Sequence, residues 1–198
     1  MRLFTFGDSH GYVGWKHADV KIYHGPTLAY SVGRDKLAII DVMYHGVEEG
    51  DSVVFAFGEI DCRCHIKKYV TETTPYEEVI DAIVEKYIAT ILINYENLNR
   101  NIGVYVYNVV PPVDQSQVVE NEDYPFLGTN EERKMYSLYF NKKLKEHCDI
   151  NKFNFIDVYD KYADENGLLN KELSDGNIHI RDFKYIDQYV EEKIKKIL

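Results

Sequence analysis

Cysteine is scarce in this 198-residue sequence: Cys62, Cys64 and Cys148 are an odd number without the spacing of a disulfide framework, so the fold must rest on its core. Positive charge is short as well. Lysine and arginine number 23 against 33 aspartate and glutamate, a formal charge of −10, and without a basic stripe neither nucleic acid nor an anionic membrane surface is expected as a partner. No window nears the roughly 20 apolar residues of a spanning helix. Gly7-Asp8 arrives too early for the apolar region of a signal peptide, so a cytoplasmic, reducing location is expected. Repeats and linkers are missing too, and 45% hydrophobic residues suffice for one domain over residues 1–198 with its own core.

What is present alternates between two periods. Leu3 to Phe6 is a short apolar run stopping at Gly7-Asp8-Ser9-His10-Gly11, as a buried strand does when it ends in a tight turn. Val20 to Tyr23 is a weaker strand ending at Gly25-Pro26, with short helices expected from Thr27 and around Asp35 to Tyr44. Val53 to Phe57 is unbroken and apolar, the pattern of a central strand covered on both faces, and it ends at Gly58-Glu59-Ile60-Asp61. Thr74-Pro75-Tyr76-Glu77 predicts a capping box, with Val79, Ile80, Ile83, Val84, Tyr87, Ile88, Ile91, Leu92 and Tyr95 forming one apolar helical face behind it. Gly103 to Val110 reads as the next strand, 114–128 as a long loop, and Thr129 with Glu132 as a second capping box for a helix to about His147. A strand over Phe153 to Val158 and a closing helix over Asp182 to Leu198 follow. Strands separated by helices predict an α/β protein, a mostly parallel sheet between helix layers, whose ligands bind at the carboxyl ends of the strands.

Three polar clusters answer to that position: Gly7-Asp8-Ser9-His10, Gly58-Glu59-Ile60-Asp61-Cys62-Arg63, and Asp175-Gly176-Asn177-Ile178-His179. A serine hydroxyl is a poor nucleophile unless a base lies within hydrogen-bond reach and a third group fixes that base. Ser9, His179 and Asp175 are the right types. Ser9 alone reads equally as a turn or helix cap, and His179, between Ile178 and Ile180, equally as a histidine at the core edge. His10 is the less suitable base, since neighbouring side chains on an extended segment point to opposite sides. Cys62-x-Cys64-His65 lacks the further pair that a structural zinc needs, so no metal is expected.

Together the three clusters, spanning Phe4 to Ile180, resemble the SGNH/GDSL hydrolases. The resemblance implies a three-layer α/β/α sandwich with a flavodoxin-like sheet, and hydrolysis or transfer of an acyl ester. It implies Ser9 as nucleophile, His179 as general base and then acid, and an oxyanion hole from the amides of Ser9 and a second-block glycine, Gly25 or Gly33, together with Gly58 of the third block. Two departures stand out. The family places its aspartate three residues before the histidine, where this chain has Gly176 and puts Asp175 four before. The family also carries an asparagine two residues after the third block's glycine, where Gly58 is followed by Ile60. Arg63 is the substitute donor expected for that missing amide. Glu59 and Asp61 either pair with Arg63 and hold the loop or, with Asp8 and His10, bind substrate.

Deacylation of a carbohydrate, acetyl being the expected acyl group, is the first functional expectation. The same serine and histidine acting as an O-acyltransferase is the second, and a non-catalytic glycan- or partner-binding module on the same fold the third. A flavodoxin-like cofactor site is disfavoured, because Asp8 sits where a phosphate would bind and no glycine-rich dinucleotide motif occurs; no cofactor is expected. Of the aromatics, Tyr12 and Trp15 with Lys16 are expected beside the cleft, and Tyr124-Pro125-Phe126 as a lid.

Overall fold

The computed structural model describes residues 1–196. Five strands, β1 (Leu3–Gly7), β2 (Val20–Tyr23), β3 (Ser52–Ala56), β4 (Gly103–Tyr107) and β5 (Asn154–Ile156), form one sheet in the order β2-β1-β3-β4-β5. Every pairing is parallel. Seven helices connect and flank them: α1 (Ser9–Tyr12), α2 (Ala29–Asp35), α3 (Glu59–Cys64), α4 (Tyr76–Leu98), α5 (Asn130–Asn151), α6 (Tyr159–Tyr162) and α7 (Lys184–Tyr189).

The period-2 alternation of the central strands builds two cores. Phe4 and Phe6 of β1 with Val53 and Phe55 of β3 face α2, α4 and α5. Leu3, Val54 and Ala56 face the other way, toward Trp15, Tyr162, Ile186 and Val190. Both faces of β1 and β3 are therefore dry, as their unbroken apolar runs require. The result is an α/β/α sandwich. Strand order reverses at β1, with β2 added on one side of it and β3 on the other, and between β1 and β3 such sheets open a crevice.

Several boundaries differ from expectation for local reasons. The Thr129–Glu132 capping box forms, with Glu132 N–H donating to Thr129 Oγ1 and Thr129 N–H to Glu132 Oε2, and its helix runs on to Asn151. The Thr74–Glu77 box does not form: Thr74 N–H turns back to Thr71 Oγ1, and Pro75 itself occupies the cap of α4. The segment Asp35 to Tyr44 is not a helix but two 3₁₀ turns, Lys36–Ala38 and Val42–His45. Lys36 at φ +51° breaks the path of α2, and Asn94 of α4 binds the irregular backbone at Val42 N–H and Ile40 C=O. β3 stops at Ala56, β4 at Tyr107, and β5 spans only Asn154–Ile156. The closing helix starts at Lys184 and widens to a π turn over Val190–Lys195; the end of the expected span, 197–198, lies outside the described residues. No helix among the described residues is long and apolar enough to cross a membrane.

Candidate active site

The tip of β1 turns into α1 through a glycine that admits nothing larger. A Cβ on Gly7 would stand 2.6 Å from the carbonyl oxygen of Ala56 and 2.7 Å from the Cα of Gly11. Asp8, fully buried, then caps α1 by accepting the N–H of His10 at 2.8 Å. Ser9 is thereby the first residue of a helix at the crevice between β1 and β3. The expected extended geometry at Ser9-His10 is absent, because both residues lie in α1.

The histidine comes from the far end of the chain. Ser174 and Ile180 bridge in antiparallel fashion, Asp175 N–H donates to the His179 carbonyl at 2.9 Å, and Gly176 takes φ +88° between them. That left-handed residue absorbs the extra spacing, since glycine adopts positive φ at no steric cost. Asp175 Oδ2 consequently lies 3.1 Å from His179 Nδ1, and His179 Nε2 lies 2.8 Å from Ser9 Oγ. Burial first, and the nearby ring of His10 second, lower the His179 pKa from its ordinary value against the opposing charge of Asp175.

The loop after β3 is built differently from expectation. Gly58, at φ +123°, packs where a Cβ would collide with Val109 and Phe140. Glu59 and Arg63 form a buried two-pronged ion pair, Oε1 to Nε at 2.7 Å and Oε2 to Nη2 at 3.1 Å. Arg63 Nη1 donates to the Tyr124 carbonyl, and its guanidinium lies over the Phe126 ring. Its polar edges are thus engaged away from a free oxyanion. Asp61 does not pair with Arg63: its two oxygens accept the N–H groups of Ala29 and Tyr30 at the start of α2, and burial pushes its carboxyl up to about 7 against those bonds. Ile60 is buried.

The remaining candidates fall on both sides of the site. Gly25, at φ +68°, follows the tip of β2 in open space. Gly33 is packed against Lys86 and Tyr87 of α4 and serves a helix crossing. His10 is tied to Asp8 Oδ1 at 3.3 Å and to the Ile178 carbonyl at 3.2 Å. Trp15 does not line the cleft; it is a core residue whose indole N–H donates to the His10 carbonyl. Tyr12 is exposed against Tyr23, and Lys16 pairs with Asp187. Phe126 is no free lid, being buried between the guanidinium groups of Arg63 and Arg133. Burial raises all three thiols, Cys64 to about 11 and Cys148 to about 12.

No family model matches the sequence, and no curated protein matches it. Solved structures match across nearly the whole chain. A Bacteroides fragilis protein held to be an acylhydrolase aligns with a TM-score of 0.62 at 14% identity, covering 98% of this chain and 86% of its own. A catalytic mutant of an acetylxylan esterase from Geobacillus stearothermophilus aligns at 0.58 and 11%, covering 96% and 92%. A protein of the G-D-S-L family from Desulfitobacterium hafniense, held to be lipolytic, aligns at 0.57 and 11%, covering 100% and 99%. The chain has the SGNH hydrolase fold.

Within that SGNH fold, two side chains beside Ser9 escaped the sequence reading. Tyr107, at the end of β4, and Phe183, before α7, join Ser9, His179 and Val110 around a small cavity of about 10 Å³. Phe183 also covers Gly14, where any Cβ would enter its ring. Asn108 was missed as well: its Oδ1 accepts the Val158 N–H and its amide donates to the Val109 carbonyl, ending β4 beside the site. A tyrosine in an alternating strand and a lone phenylalanine before a helix carry no local signal for such places.

Proposed function

We propose that this chain is a serine-dependent acyl ester hydrolase that removes a small acyl group, acetyl in the first instance, from a carbohydrate. The reading is carried by one observation, the relay from Ser9 Oγ through His179 Nε2 at 2.8 Å and from His179 Nδ1 to Asp175 Oδ2 at 3.1 Å. Two bonds of this length give the serine a base and give the base a fixed tautomer. His179, kept largely neutral by burial and by His10, takes the Ser9 proton as Oγ attacks the ester carbonyl. The resulting imidazolium, steadied by Asp175, returns that proton to the leaving alcohol, and water resolves the acyl-enzyme by the same route. The amides of Ser9 and Gly25 are the proposed donors to the oxyanion.

The walls beside Ser9 support a small acyl group. The cavity beside Ser9 is lined by Val13, Val110, Ile180, Phe183 and Ile186 and has about 10 Å³, room for about one water-sized group such as a methyl. Past Phe183 the surface opens into a basin of about 590 Å³ bordered by Lys21, Arg181, Asp182 and Gln188. Its polar groups, charged of both signs and neutral, suit a hydroxyl-rich alcohol portion.

The test is labelling with a fluorophosphonate, with the adduct located by mass spectrometry, followed by turnover of acetyl and octanoyl p-nitrophenyl esters. Labelling at Ser9 that His179→Ala abolishes, with acetyl strongly preferred, is the expected result. An unlabelled Ser9 in the folded protein overturns it.

A further inference from the structure

We propose that His10, the residue following the nucleophile, is a positioning residue for His179, acting through the Ile178 carbonyl and through a positive charge that it keeps at neutral pH. The inference rests on the reading of His179 as the general base. Three contacts carry it. His10 Nδ1 faces Asp8 Oδ1 at 3.3 Å, and Nε2 faces the Ile178 carbonyl oxygen at 3.2 Å. Its ring centroid lies 5.0 Å from that of His179, tilted by 37°.

Both partners of the His10 ring are acceptors. A carbonyl oxygen has no hydrogen to give, nor has an ionised carboxylate, and a neutral imidazole carries only one N–H. Both contacts are hydrogen bonds together only when both ring nitrogens are protonated, which makes His10 an imidazolium. The surroundings favour that form. Desolvation of the buried ring works against the charge, but Asp8, the charge of Glu59 and the Ile178 carbonyl outweigh it and raise His10 to about 9. The charged groups facing the two rings are Asp8 at the tip of β1, Glu59 with its partner Arg63 on α3, and Asp175 on the far side of His179.

Two consequences reach His179. The Ile178 carbonyl belongs to the residue just before the base, so the His10 ring is a strut between α1, which carries Ser9, and the loop carrying His179. The strut is held from behind by the Trp15 indole, which donates to the His10 carbonyl at 2.9 Å. Second, a cation at this range disfavours a second one, so His179 resists protonation and remains a base in mildly acidic solution. A histidine that only filled space would supply the first effect without the second.

The experiment follows the ring nitrogens of ¹⁵N-histidine protein by NMR as a function of pH, in the wild type and in His10→Gln, with the two rings assigned from His10→Gln and His179→Gln. In the wild type, His10 is expected to keep both ring protons past pH 8 while His179 titrates below its ordinary value. In His10→Gln the His179 midpoint is expected to rise by about one pH unit, and the acid limb of kcat/KM for acetyl ester hydrolysis to move with it. A neutral His10 at pH 7 in the wild type overturns the inference, a result that needs no variant to fold. An unmoved His179 midpoint in folded His10→Gln overturns it equally. The ring titrations are read without turnover, so a chain that hydrolyses no ester still yields the coupling, and the failure of one reading is distinct from failure of the other.

Discussion

The guanidinium of Arg63 grips the carboxylate of Glu59 one helical turn before it, and both side chains are buried. Removing one partner of such a pair strands the other charge, at a typical cost of about 3–5 kcal/mol. Arg63→Met is therefore expected to lower stability by that order in urea unfolding. Glu59→Gln with Arg63→Met should recover much of it. If Arg63 instead served the oxyanion, the single variant would unfold at the wild-type midpoint and lose only turnover.

Asp175 reaches His179 through a loop that turns at Gly176. Asp175 Oδ1 accepts the backbone N–H groups of Asn177 and His179, so Asp175→Asn keeps its oxygen there and turns its NH2 toward Nδ1, which favours the wrong tautomer, and kcat for acetyl ester hydrolysis is expected to fall on the order of 10²-fold or more. Gly176→Ala meets no neighbour at the added Cβ but must hold φ +88°. Its expected cost is the left-handed penalty of about 1–2 kcal/mol, read as a lowered Tm together with a drop in kcat.

Stability should decline toward both ends of the pH scale, with opposite signs of linkage. His10 is raised from 6.5 to about 9, so its contribution is complete below 6.5, fades as the pH rises, and is gone above about 9. Glu59 moves the other way. Burial would raise its carboxyl, but Arg63 and His10 outweigh burial and hold it below the ordinary value. Its contribution is complete above 4.5 and is lost as the pH falls through the lowered value. Urea midpoints measured from about pH 2 to about pH 10 check both limbs, and the alkaline limb should flatten in His10→Gln.

Gly33 and Lys86 mark where α2 and α4 touch. A Cβ at Gly33 would stand 2.7 Å from the Cβ of Lys86. Gly33→Ala should therefore destabilise by about 1–3 kcal/mol through forced separation of the helices, while fluorophosphonate labelling of folded protein stays unchanged. Labelling lost at full stability would instead place Gly33 in the active centre.

What was legible in the sequence is what depends on near neighbours. The apolar runs of β1 and β3 show their burial, and the Thr129–Glu132 cap needs only four residues to form. The same arithmetic misled at Thr74, because Thr71 competes for its N–H and the rigid Pro75 takes the cap. Asp61 was read with Arg63, its neighbour two residues on, whereas its partners stand at Ala29 and Tyr30 across the crevice. His10 shows the limit most clearly. Its bond to Asp8 is local, but the carbonyl giving its other nitrogen a partner is 168 residues away, and no periodicity encodes that meeting.

Ser9 and His179 stand 170 residues apart in the chain yet 2.8 Å apart in space. The serine is synthesised 170 residues ahead of the histidine and is without that partner until the loop carrying it has followed. A chain that ends before this loop would carry the proposed nucleophile without its proposed base. On the proposed mechanism, reactivity switches on only when the loop from Ser174 to Ile180 docks against α1, so closure of the fold and arming of its chemistry are a single event.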